Sequence, residues 1–94
     1  MSTDTVRVAA VQLLTGEDVE ANATLALGFL ERAAADGAKL IAFPEGCLFG
    51  YTCRTDYWEA MDASRFEAAE ARVSEAARRL GVAVVIGSAH QANG

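Results

Sequence analysis

Glu45 stands directly behind an apolar run and a proline, in Leu40-Ile41-Ala42-Phe43-Pro44-Glu45-Gly46-Cys47. A carboxylate at the end of a buried strand, with a rigid ring before it, is held at a defined place. Partial desolvation there would raise its pKa toward the range useful for proton transfer. The competing reading is a rim glutamate in water, or one capping a nearby backbone nest. Cys47 lies two residues on. A nucleophilic thiol there needs a base within hydrogen-bond reach, which Glu45 or His90 would have to supply. A small apolar side chain packed under the loop is the plainer role for Cys47, and equally for Cys53. His90 lies four residues from the final residue, where chains hold geometry badly, and reads as a surface histidine. Lys39, the one lysine of the sequence, sits at the opposite end of the strand from Glu45. Six residues at about 3.3 Å each put their backbones roughly 20 Å apart, so Lys39 reads as a solvated strand-start lysine.

Other chemistries are excluded by what the sequence lacks. Two thiols and one histidine do not close a zinc site, so no metal is expected. The turn after the first apolar run has a single glycine, Gly16, and no strand is followed by a phosphate-cradling glycine motif. No nucleotide or other organic cofactor is therefore expected. No serine elbow of the Gly-x-Ser-x-Gly type occurs. Eight basic residues against 13 acidic ones give a net charge of −5, without a basic cluster. Neither nucleic acid nor an anionic membrane is an expected partner. The polar start, Met1-Ser2-Thr3-Asp4-Thr5, does not look like a targeting signal, and no apolar run reaches about 18 residues. The expected compartment is the cytoplasm, with both thiols free.

The elements that must position Glu45 follow from the changing apolar period. Val6 to Leu14 is a β-branched apolar run long enough for one strand buried on both faces. Thr15-Gly16-Glu17-Asp18 breaks it, and Thr15 or Asp18 can cap a helix over residues 19–36. In that helix Ala23, Ala26, Leu27, Leu30 and Ala34 recur at helical spacing, and Gly37 provides a left-handed stop. Lys39 to Phe43 reads as a second strand, halted by Pro44. Residues 46–61 read as irregular, with Phe49, Tyr51, Tyr57 and Trp58 forming a packed loop base. Ser64-Arg65-Phe66-Glu67 has capping-box spacing and opens a second helix, which Gly81 ends. Val82 to Ser88 is a third strand.

Strand, helix, strand, helix, strand is an α/β order with parallel strands and right-handed crossovers. Two alanine-rich helices cover at most one face of three strands. The 94 residues therefore read as part of a larger α/β domain, with an apolar sheet face or edge left bare and prone to self-association. Ligands of such sheets sit beyond the carboxyl ends of the strands. There the Pro44–Trp58 segment is rich in useful groups, and Thr15-Gly16-Glu17 and Ser88-Ala89-His90 are poor in them.

Five segments in order carry a family resemblance. They are Val8-Ala9-Ala10-Val11-Gln12, Asn22 inside the first helix, Gly37 through Glu45, Gly50-Tyr51, and Val85-Ile86-Gly87-Ser88. Together they resemble the amino-terminal third of the nitrilase superfamily of carbon–nitrogen hydrolases, over about Val6 to Ser88. The resemblance implies that residues 1–94 are the βαβαβ amino-terminal portion of a single, incomplete α-β-β-α sandwich domain. It implies hydrolysis of a small-molecule amide, carbamoyl compound or nitrile by a glutamate, a lysine and a cysteine, without cofactor. By position Glu45 is that glutamate, the general base, and Tyr51 borders the substrate pocket. The lysine and cysteine have no match here, so the resemblance implies a chain inactive by itself. Family members usually pair, which implies a homo-oligomer for the complete enzyme. The string Gly50 to Tyr57 also resembles glutamine-hydrolysing domains attached to NAD synthetases, which does not fix a substrate. Two other readings stay open: a non-catalytic α/β interaction module, and a thiol enzyme using Cys47 and His90.

Overall fold

The computed structural model describes residues 5–50, 52 and 54–88. Tyr51, Cys53 and His90 lie outside the described residues. Three short parallel strands form one sheet in the order β1-β2-β3: β1 (Val8–Ala10), β2 (Leu40–Ala42) and β3 (Ala83–Val85). Val8, Leu40 and Ala83 share one row, Ala9, Ile41 and Val84 the next. The strands are shorter than the apolar runs that contain them. Ladder bonds reach one residue further, as in Lys39 N–H to the Arg7 carbonyl and Phe43 N–H to the Val85 carbonyl, both 2.8 Å. Beyond Phe43 the ladder ends at Pro44, which has no N–H to give.

Helix α1 (Val19–Ala35) begins where Asp18 accepts the Ala21 N–H at 3.1 Å, so Asp18 and not Thr15 is its cap. Gly37 follows its end at φ 92°, a conformation that costs a residue with a Cβ. A six-residue helix, α2 (Thr55–Ala60), interrupts the segment expected to be irregular. Its sequence has no apolar stripe, and contacts between Trp58 and the rings of Phe49 and Phe66 hold it instead. Helix α3 (Ala63–Leu80) starts earlier than the capping-box spacing predicts. Asp62 takes over the cap, accepting the Ser64 N–H at 2.9 Å and its hydroxyl at 2.7 Å. A carboxylate accepts two donors at once, which a serine at position 64 would not match. Those two bonds hold the Asp62 carboxyl below the usual carboxylate range.

Both long helices lie on one face of the sheet. Ala26 and Leu30 of α1 and Ala76 of α3 close over Ile41, which is fully buried. Burying an Ile or Leu side chain stabilises by about 1.5–3 kcal/mol each, so this row supplies much of the fold's cohesion. The other face is bare: Val8 is 62% exposed, Leu40 37% and Val85 59%. An alternation that reads exposed-covered-exposed along β1 and β3, and exposed, buried, half-buried along the central β2, is that of a sheet with one wall in place.

Candidate active site

All three connections that leave the carboxyl ends of the strands meet around Glu45. Its position follows from what its neighbours do. Phe43 is buried at the end of β2, and after Pro44 and Glu45 the chain dives back, burying Gly46, Cys47 and Leu48. Gly46 makes that reversal at φ 69°. Three backbone bonds close the turn: Cys47 N–H to the Pro44 carbonyl at 3.3 Å, and Phe49 and Gly50 N–H to the Gly46 carbonyl at 3.2 and 2.9 Å. Leu48 is wholly buried among Val19 and Ala23 of α1 and Phe66, Ala69 and Val73 of α3. A single apolar anchor thus pins the loop into the groove between the two helices.

Two other connections brace this turn from either side. After β3, Gly87 passes so near that a Cβ there would lie 2.6 Å from the Gly46 nitrogen and 3.2 Å from Glu45 Cα. After β1, the Gly16 carbonyl lies against Gly50, where an added Cβ would come within 2.0 Å of that oxygen. Gly50 also has φ 81°, so only glycine fits. The same turn reaches the loop through side chains. Glu17 accepts the Thr52 hydroxyl at 2.6 Å and pairs with Arg54 at 2.5 Å, and Arg54 also pairs with Asp56 at 2.6 Å. Hydrogen bonding from Arg54 holds the Asp56 carboxyl low, and Asp56 in turn pushes the Arg54 guanidinium up.

The Glu45 side chain itself is exposed. Partial desolvation, expected from the sequence, is not supplied by the described residues. The reason is geometric: the buried strand and proline fix the backbone, but no described residue forms a wall over the carboxylate. Among the described residues none bonds or pairs with it. Cys47 is 2% exposed and sits in the apolar core with Leu30, Ile41 and Ala76. Burial pushes its thiol up, the opposite of what a nucleophile needs. That is the packed role, not the catalytic one. Lys39 is exposed at the far end of β2, before Leu40, while Glu45 follows the near end. Phe49, Tyr57 and Trp58 form the packed loop base, with Tyr57 and Trp58 edge to face at 5.1 Å.

The sequence reading undervalued the first turn. Thr15-Gly16-Glu17 contributes no reacting group, yet it grips the loop that carries Glu45. The Glu17 contacts join residues 35 and 37 apart and leave no periodic signal. Asn22 did leave one, as an amide set into the otherwise apolar stripe Val19, Ala23, Ala26 and Leu30.

A solved structure shares this fold. The solved structures include an amidase from Nesterenkonia sp. that is 28% identical and superposes with a TM-score of 0.73, over 86% of this chain. The chain spans 31% of that amidase's length. No curated protein matches it. The sequence profile named carbon-nitrogen hydrolase matches residues 7–94, which takes in every strand, every helix and the loop around Glu45. The chain belongs to the carbon–nitrogen hydrolase family, as an incomplete α/β portion of its fold.

Proposed function

We propose that Glu45 is the general base of a hydrolase that cleaves a small-molecule amide, carbamoyl compound or nitrile through a glutamate, a lysine and a cysteine. The observation that carries this reading is the bracing of the Glu45 backbone by β2, Gly87 and the Gly16 turn, at the sheet edge where such folds bind ligands. Glu45 would accept the thiol proton as the thiolate attacks the carbonyl or nitrile carbon. It would then return that proton to the leaving amine, which gives a thioester, or to the nitrile nitrogen, which gives a thioimidate that adds one water and releases ammonia to reach the same thioester. Water attacks the thioester next, and Glu45 takes its proton as the acid departs and the thiol re-forms. The lysine ammonium would balance the charge on the tetrahedral oxyanion.

Neither the lysine nor the nucleophile is matched within residues 1–94. Lys39 stands at the wrong end of β2, and Cys47 is buried with its thiol pushed up. The exposed carboxylate of Glu45 also needs a cover that the described residues do not supply. On this reading the 94-residue chain turns over negligibly alone, and the complete enzyme is a cytoplasmic homo-oligomer with Tyr51 beside the substrate.

Ammonia release from simple amides tests the proposal, using both this chain and the longest polypeptide its reading frame encodes. Activity should require the longer polypeptide, and Glu45→Gln should slow acylation there by about 10²–10⁴. Glu45→Gln with unchanged kinetics would reduce Glu45 to scaffolding. Turnover by the short chain, lost in Cys47→Ala, would instead establish the thiol enzyme.

A further inference from the structure

Asn22 is buried to 3% exposure on a helix face otherwise made of Val19, Ala23, Ala26 and Leu30. An amide there is costly. Asparagine is a weak helix former, and a buried amide without partners loses its hydration for nothing. Its partners are therefore informative. Oδ1 accepts the Gly16 N–H at 3.0 Å, and Nδ2 donates to the Gly16 carbonyl at 2.7 Å and to the Leu48 carbonyl at 3.0 Å. One side chain takes both backbone groups of Gly16 and then crosses to the turn that bears Glu45.

We propose that Asn22 is the positioning residue that fixes where Glu45 stands, by clamping the Leu48 carbonyl to the Gly16 turn. This rests on the reading of Glu45 as the general base. Leu48 is three residues beyond Glu45, and the turn between them is closed by the bonds to the Pro44 and Gly46 carbonyls. A shift at Leu48 is thereby passed to Glu45 rather than absorbed by slack chain. Neither leucine nor aspartate reproduces the clamp. Leucine fills the volume but bonds to nothing, and aspartate accepts from Gly16 but cannot donate to either carbonyl. A general base is sensitive to such changes, since a displacement of about 1 Å can cost about 10²-fold in rate.

Two measurements on Asn22→Leu test this, with Asn22→Asp carrying the same measurements should the leucine variant not fold. The first is amide hydrogen exchange in the 94-residue chain, comparing Cys47, Phe49 and Gly50 with the centre of α3. The loop amides should speed up relative to those of α3 by about tenfold, because local opening of the turn is what the clamp prevents. A merely structural Asn22 would change both regions alike, and an unchanged ratio overturns the proposal. The second is steady-state kinetics in the turnover-competent polypeptide. There kcat should fall by about 10–100-fold while KM moves by less than about threefold. Gly50→Ala, which pushes the same loop off Gly16 with Asn22 intact, should give the same split. Failure of the underlying reading looks different: Glu45→Gln would then be silent while the exchange ratio still changes. If Glu45→Gln is damaging but Asn22→Leu leaves kcat and the exchange ratio alone, the positioning role is wrong and the base assignment stands.

Discussion

The two ends of the sheet are built to different tolerances. At the amino-terminal end of the strands, the helices stop on glycines, Gly37 and Gly81, both in left-handed backbone. Beyond the strand ladder, the side-chain links there are surface bonds, from the Arg7 guanidinium to the Asp36 carbonyl at 2.6 Å and from Arg79 to Glu31 at 3.1 Å. At the carboxyl-terminal end, Leu48 and Asn22 are buried, and Gly16, Gly50 and Gly87 allow backbones to touch. Strand ends that hold a reacting group need a fixed backbone, and those that merely turn the chain do not. The contrast is the one that the proposed role of Glu45 requires.

Leu48→Ala tests the contrast most severely. Removing a wholly buried leucine from a site ringed by Val19, Phe66 and Val73 leaves a cavity that helices already in contact cannot easily close. A loss of about 2–5 kcal/mol is expected in urea denaturation. Leu14→Ala is the matched control, because Leu14 is 93% exposed, and it should be nearly silent. Equal effects in the two variants would mean that the carboxyl-terminal edge is no better packed than the surface.

Gly87→Ala comes next. The added methyl meets backbone atoms of Glu45 and Gly46, which cannot swing aside as a side-chain tip can. Overpacking of this kind costs about 1–3 kcal/mol, less than the Leu48 cavity because β3 ends nearby and gives slightly. The comparison sharpens if the amide chemical shifts of Glu45 and Gly46 move in this variant while those near Gly37 stay in place. It breaks if both ends move together.

How much of this was legible in the sequence depends on the range of the interaction. Helix α1 was readable from its stripe and from Asp18, because caps and periodicity act within a few residues. The parallel pairing of the strands followed from the alternation of elements, and the bare sheet face from the count of helices available to cover it, while the order of the strands in the sheet did not follow from either. The cap of α3 was misplaced by two residues because Ser64 and Asp62 are both good caps, and only the geometry shows that Ser64 donates to Asp62. Glu45 was singled out by its strand and proline, and its role as general base came only from the family resemblance. Its exposure was not legible, because burial of a loop side chain depends on chain that passes over it and not on its own neighbours. The grip of the first turn was hidden for a similar reason. Glu17 meets Thr52 and Arg54 across more than thirty residues, a pairing that no local pattern encodes.

The smallest expected effects lie at the amino-terminal edge, and they test the comparison from its quiet side. Arg7 and Lys39 are both exposed, and the Arg7 bond to Asp36 is made in water, where its two partners can rehydrate. Arg7→Ala and Lys39→Met should each stay within about 0.5 kcal/mol of the parent in urea denaturation. The backbone of Lys39 is engaged in the ladder, bonding to Arg7 and Ala83, and Lys39→Met leaves those bonds untouched. Turnover in the active polypeptide should also be unchanged by Lys39→Met, since its ammonium departs from the sheet at the end away from Glu45. A drop of several orders of magnitude would place the lysine of the reaction within residues 1–94 and bring the amino-terminal edge into the chemistry. The geometry of β2 argues against that outcome: a strand holds its two ends apart, and no rotamer of Lys39 spans the row from Leu40 to Phe43 and the proline beyond it.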